Sequence, residues 1–142
     1  MKNTVFVDSS VWIDFFREQD SKNSLSLKLL LETGRVAISH IIMAEILPFI
    51  KKDSERKDIE SYFKALEILP FETDFWPALI DLSCSLQKSG ISGTTIPDLI
   101  IATICLKNSV QLFSADKHFR NIARAADLKM FDSAQAGSFN VK

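Results

Sequence analysis

The sequence predicts an α/β sandwich around a mostly parallel sheet. Short apolar runs of strand length alternate along the chain with longer stretches at helical spacing. The runs are continuously apolar rather than alternating, as strands covered on both faces are. A length of 142 residues with 46% hydrophobic and 25% charged residues suits one packed core. We read residues 1–142 as a single domain, with no linker, internal repeat or low-complexity tract.

Thr4 to Val7 is the first such run, and it ends at Asp8. Ser9 and Ser10 open a helix that carries Val11, Trp12, Phe15 and Phe16 at helical spacing. Ser24 is read as the cap of a second helix, with Leu27, Leu30 and Leu31 on one stripe and Gly34 past its end. Val36 to Ser39 is the next strand. His40 to Ile50 is a helix apolar nearly all round, with Glu45 at its centre and Pro48 set to kink or shorten it. Asp53 to Leu66 is a charged surface helix with Ile59, Tyr62, Phe63 and Leu66 facing inward, followed by a short strand within Glu67 to Pro70.

Asp74 is placed to cap a helix bearing Leu79, Leu82 and Leu86, which stops at Gly90. A loop from Ser89 to Thr95 leads to Pro97, whose fixed φ suits a first helical turn. From Leu99 to Leu106 only Thr103 carries a polar group, so this helix is read as buried on most faces, with Asp98 at its mouth. Val110 to Phe113 is a strand, and Ser114, Ala115 and Asp116 follow it. A helix over 118–126 and a last strand near Leu128 to Phe131 complete the fold. The tail from about Ser133 has no pattern and is expected to be mobile.

Composition narrows the functional classes. The net charge is −1, so no basic field announces a nucleic-acid partner. Without Asp8, Glu45, Asp98 and Asp116, however, the chain carries 17 basic against 14 acidic groups, a balance of +3. The negative charge then lies in one place, where a divalent cation can offset it. Cys84 and Cys105 sit in apolar helical stretches without metal-ligand spacing and are read as buried thiols. No signal-like segment or membrane-length apolar run is seen, so a cytoplasmic location away from membranes is expected.

Each acid has an ordinary explanation on its own. Asp8 fits a helix N-cap, Asp98 a capping box with Thr95, and Asp116 a turn. Glu45 is the exception, because it is the only charge between Val36 and Ile50 and has no evident solvent face. Asp8 and Asp116 both stand just past the carboxyl end of a strand, where sites form in parallel sheets. Together the acids suit a hard, oxygen-preferring cation such as Mg²⁺ or Mn²⁺. With four glycines there is no phosphate-cradling loop to compete, and no serine–histidine–acid arrangement is evident. Ser9 and Ser114 are placed to orient the ligands or a water. Lys117, Arg120 and Arg124 lie where they can grip phosphates beside such a site. His40 and His118 do not form a metal pair.

These residues, in the segments VFVDSSVWIDFF, ISHIIMAEIL, GTTIPDLIIATICL and LFSADKHF, resemble the PIN-domain ribonucleases, specifically VapC-type toxins. The resemblance covers nearly the whole chain. It implies a three-layer α/β/α sandwich with a mainly parallel central sheet, and metal-dependent cleavage of RNA leaving a 5′-phosphate. It places Asp8, Glu45, Asp98 and Asp116 at the acidic positions. Asp8 and Asp98 are then direct ligands, with Glu45 and Asp116 completing the shell directly, through water or through a second ion. Ser114 stands where the family often has threonine. A homodimer and a small antitoxin that occludes the site are also implied. The alternative is a non-catalytic module that binds RNA or protein through its basic helix. An aspartyl phosphotransfer protein is disfavoured, because Ser9 and Ser10 supply no second acid beside Asp8.

Overall fold

The structure is a computed structural model that describes residues 3–18 and 20–133. Four parallel strands form one sheet in the order β3-β2-β1-β4. β1 (Val5–Val7) lies at the centre, flanked by β2 (Val36–Ile38) and β4 (Gln111–Phe113), and β3 (Glu67–Ile68) pairs on the outside of β2. The runs VFV and VAI are buried at every position, which is why neither alternates. Val7 stands opposite Phe113 in the β1–β4 register. The next amide, of Asp8, donates to the Phe113 carbonyl at 2.9 Å. Asp8 is thereby fixed one residue past the strand end.

Seven helices are described: α1 (Ser9–Arg17), α2 (Lys22–Glu32), α3 (His40–Ile46), α4 (Asp53–Lys64), α5 (Trp76–Lys88), α6 (Ile96–Asn108) and α7 (His118–Ala125). Six of them fall into two groups, α1 packing on α2 and α3, and α5 packing with α6 and α7, while α4 packs on the 3₁₀ turn that follows α3. This is the expected α/β/α sandwich. Phe6, Trp12, Leu30, Ile38, Phe63, Ile104 and Leu112 are among its fully buried side chains. Each such side chain contributes roughly 1.5–3 kcal/mol through its removal from water. α6 is buried from Ile101 to Cys105, as its apolar run requires. Pro48 ends α3 early, and the chain continues as a 3₁₀ turn over Leu47–Phe49.

Several expectations are corrected. α2 begins at Lys22 and its cap is Ser21, whose hydroxyl accepts the Ser24 amide at 3.1 Å. Ser24 is instead inside the first turn, where it donates to the Glu18 carbonyl at 2.5 Å and ties α2 to the end of α1. Asp74 caps nothing; it lies in a 3₁₀ turn over Thr73–Phe75 that runs into α5. α6 starts at Ile96 and, as expected, holds Pro97 in its first turn. The segment Leu128 to Phe131 is a single parallel bridge at Met130, held by Leu112 N–H to Lys129 O at 2.9 Å and Phe131 N–H to Leu112 O at 2.7 Å. Cys84 is exposed, because α5 buries Leu79, Leu82 and Leu86 and turns position 84 away from that stripe; Cys105 is buried as expected. The tail after Ser133 lies outside the described residues.

Candidate metal centre

Asp8 caps α1 from an extended conformation (φ −73°, ψ 158°) and is 5% exposed. Its Oδ2 accepts the Ser10 hydroxyl at 2.7 Å, the Ser114 hydroxyl at 2.8 Å and the Ser10 amide at 3.4 Å. Each hydroxyl has one proton, and here each is spent on Asp8. Their lone pairs then face the β4–α7 turn: Ser10 Oγ accepts the Ala115 amide at 3.0 Å and Ser114 Oγ accepts the Asp116 amide at 3.0 Å. The turn is thus stitched to Asp8 from both sides. Burial raises the Asp8 pKa, and the serine hydrogen bonds oppose it only in part.

Glu45 projects from the middle of α3 and is half-buried. Its Oε1 is shut off from solvent and has no hydrogen-bond partner. Its pKa is raised by burial first, then by the charge of Asp8, with Asp98 adding to it and the Ser9 hydroxyl opposing. Asp98, at the third position of α6, closes a capping box. Its amide donates to Thr95 Oγ1 at 3.3 Å, and its Oδ2 accepts the Thr95 amide at 3.4 Å. Asp98 thus caps α6 and at the same time lies within the electrostatic field of Glu45.

Asp8, Glu45 and Asp98 therefore share one electrostatic field. Asp116 joins them through Ser114 rather than directly. Its Oδ1 accepts the His118 amide at 3.0 Å and lies 3.3 Å from His118 Nδ1. Among the described residues no three carboxylate, imidazole or thiol groups close tightly around a point. The donor set still fits a hard cation. Carboxylates crowded in a half-dry corner, with one oxygen orphaned, leave a place for positive charge. The Cys105 thiol beneath the site is pushed up by burial and by the charge of Asp8, which keeps it protonated and inert.

Ser10 is the residue that sequence reasoning passed over. Its signal was the Ser9-Ser10 doublet after a capping aspartate, since the residue two past an N-cap presents its amide to the cap. Ser9 acts on Glu45 and Ser10 on Asp8. Lys117, Arg120 and Arg124 are exposed on or beside α7, and His40 is exposed at the start of α3.

The sheet order, the helices on it and the acidic corner define a PIN-type α/β fold. The PIN domain family profile matches residues 5–125, and the chain belongs to that family. It is 27% identical over 139 residues to Ribonuclease VapC11 of Mycobacterium tuberculosis, covering 95% of this chain and 98% of that one. The same values hold for a VapC ribonuclease of Mycobacterium bovis. Among solved structures it resembles VapBC2 of Rickettsia felis bound to a promoter DNA fragment (TM-score 0.73, 19% identity, 90% of this chain and 97% of that one). It also resembles VapC20 of M. tuberculosis, described as a sarcin–ricin loop cleaving toxin (TM-score 0.62, 13% identity, 89% and 99%). Among the described residues no helix is long and apolar enough to cross a membrane.

Proposed function

We propose that this protein is a metal-dependent endoribonuclease and the toxin of a toxin–antitoxin pair. The observation that carries the reading is Glu45, whose orphaned, buried Oε1 shares a field with Asp8 and Asp98. Family membership and the VapC ribonuclease relatives support the RNA substrate and the toxin role. The VapBC complexes among the structural neighbours support a small antitoxin partner. A homodimer and a cytoplasmic location complete the proposal.

In this reading Asp8 and Asp98 hold Mg²⁺ or Mn²⁺ directly, and Glu45 and Asp116 complete the shell, directly, through water or through a second ion. An ion held there would lower the pKa of a water and offset charge on the phosphoryl oxygens. The chain's own part is positioning. Ser10 and Ser114 fix the Asp8 carboxylate by its Oδ2. Ser9 holds Glu45. Lys117, Arg120 and Arg124 attract the RNA backbone and set its register. Hydrolysis leaves a 5′-phosphate and a 3′-hydroxyl.

The test is cleavage of labelled structured RNA with Mg²⁺, with Mn²⁺ and with EDTA, beside Asp98→Asn. Cuts that need metal and vanish in the variant are expected. Failure of partner-free wild-type protein to cut with either metal would overturn the reading in favour of a non-catalytic RNA- or protein-binding module.

A further inference from the structure

A cavity of about 430 Å³ opens beside the acidic corner, between the start of α2, the β4–α7 turn and the segment after Met130. Ser114 is its wall on the site side, and the same side chain donates to Asp8 at 2.8 Å. The cavity is thus one residue from the carboxylates. Its volume falls within the roughly 300–1,000 Å³ of small-ligand pockets. Asn23 and Arg120 also line it. Among the described residues the Asn23 amide has no hydrogen-bond partner and the Arg120 guanidinium no ion pair. Phe113, Met130 and Phe131 supply apolar surface.

A larger cavity, about 620 Å³, lies between α3 and α4 and makes a useful contrast. Its charged groups already answer one another, Arg56 with Asp53 at 3.4 Å and Lys64 with Glu60 at 3.1 Å. The cavity beside Ser114 is the more polar of the two, with Asp132 also on its wall, and its Asn23 amide and Arg120 guanidinium stand unpaired among the described residues beside the Phe113, Met130 and Phe131 side chains. A nucleobase needs that combination: an apolar face, an edge of donors and acceptors, and an adjoining phosphate. An amide offers one donor side and one acceptor side, so it can discriminate between base edges.

We infer that this cavity receives the unstacked nucleobase next to the scissile phosphate, with Asn23 reading its edge and Arg120 holding the adjoining phosphate. The inference rests on the nuclease reading for its substrate, but not for its binding test. The occupant is a base of single-stranded RNA, because a base inside a duplex presents no free edge to a closed pocket.

Two measurements test it. In the first, each of the four ribonucleoside 5′-monophosphates is titrated into the full chain in EDTA and followed by NMR. Shifts are expected at Asn23, Ala115 and Arg120, with one base saturating at about tenfold lower concentration than the weakest. In the second, cut sites are mapped on RNA with randomised sequence. The wild type is expected to prefer one base beside the cut, by about tenfold. Asn23→Ala should flatten that preference, and Asn23→Asp, which replaces a donor with an acceptor, should move it to another base. Shifts confined to other surfaces, or a preference unchanged in both variants, would overturn the subsite while leaving the nuclease intact. Nucleotide shifts at the cavity in a protein that never cuts RNA would keep the subsite and remove the nuclease.

Discussion

Asp8 reaches the acidic corner from the end of β1 with one oxygen already taken by two serine hydroxyls and an amide. Glu45 reaches it from α3 with Oε1 buried and bonded to nothing. Both carboxyls are raised by burial, but Asp8 is opposed by two serine hydroxyls, Ser10 and Ser114, and Glu45 by one, Ser9. The difference separates two tasks. Asp8 is a fixed anchor whose geometry exists before any ligand arrives. Glu45 carries an unmet demand for positive charge, and a cation is what would meet it.

The largest effect should come from breaking the anchor. Asp8→Asn keeps an oxygen for the serines but loses the charge. RNA cleavage is expected to fall more than about 100-fold, beyond what loss of a supporting partner costs a metal site. A circular-dichroism melt should show the fold retained, and a rate within a few-fold of wild type would remove Asp8 from the site.

Next in size is loosening the anchor without touching a carboxylate. Ser10→Ala removes one hydroxyl from Asp8 and leaves the Ala115 amide without its acceptor. Weakening of about tenfold is expected in the Mn²⁺ concentration that stabilises the protein in thermal melts, with a parallel loss of cleavage. Ser10→Thr, which restores the hydroxyl, should recover both.

A smaller effect probes the unmet demand of Glu45. Its ordinary pKa of 4.5 and the 3.8 of Asp8 are both raised in the fold, so the folded chain holds those protons more tightly than the unfolded chain. Metal-free stability should therefore fall as pH rises from these ordinary values through the raised ones. Glu45→Gln should flatten that fall. At pH 7 the gain is about 1 kcal/mol, because solvent screens this half-buried group, or roughly 3 °C in Tm. Added Mn²⁺ should stabilise the wild type more than the variant. A metal-free Tm of the wild type that rises between pH 4 and 7 relative to Glu45→Gln would contradict the comparison.

The smallest effect lies outside both. Arg124→Ala should raise KM for RNA about two- to threefold and reduce its salt dependence, leaving kcat in place. An unchanged salt slope would mean that Arg124 touches no phosphate.

The elements that carry local signals were legible in the sequence. The run VFV ending at Asp8, the Thr95-to-Asp98 capping pattern and the early stop at Pro48 each depend on neighbours in the chain. Glu45 stood out because its helix offered no solvent face. What was hidden depends on distant partners. Ser10 matters through a contact with Ala115, 105 residues away, and nothing local says which serine of the doublet turns that way. The strand expected near Leu128 has the right residues but pairs only through Leu112, at the sheet edge, and so shrinks to a bridge. The start of α2 moved because Ser21 and Ser24 are both competent caps, and the tie from Ser24 to Glu18 decides between them.

The capping box on α6 makes Asp98 a position where mutational controls must be chosen with care. Asp98→Ala would delete the proposed cation ligand and one half of a helix cap together, so loss of activity could equally report a frayed α6. Asp98→Asn is the separable change, since its side-chain oxygen can still accept the Thr95 amide. The reciprocal experiment is Thr95→Ala, which strips the cap while sparing every acid. The pair of variants divides the residue's two duties: melting temperature should follow Thr95, and cation binding should follow Asp98.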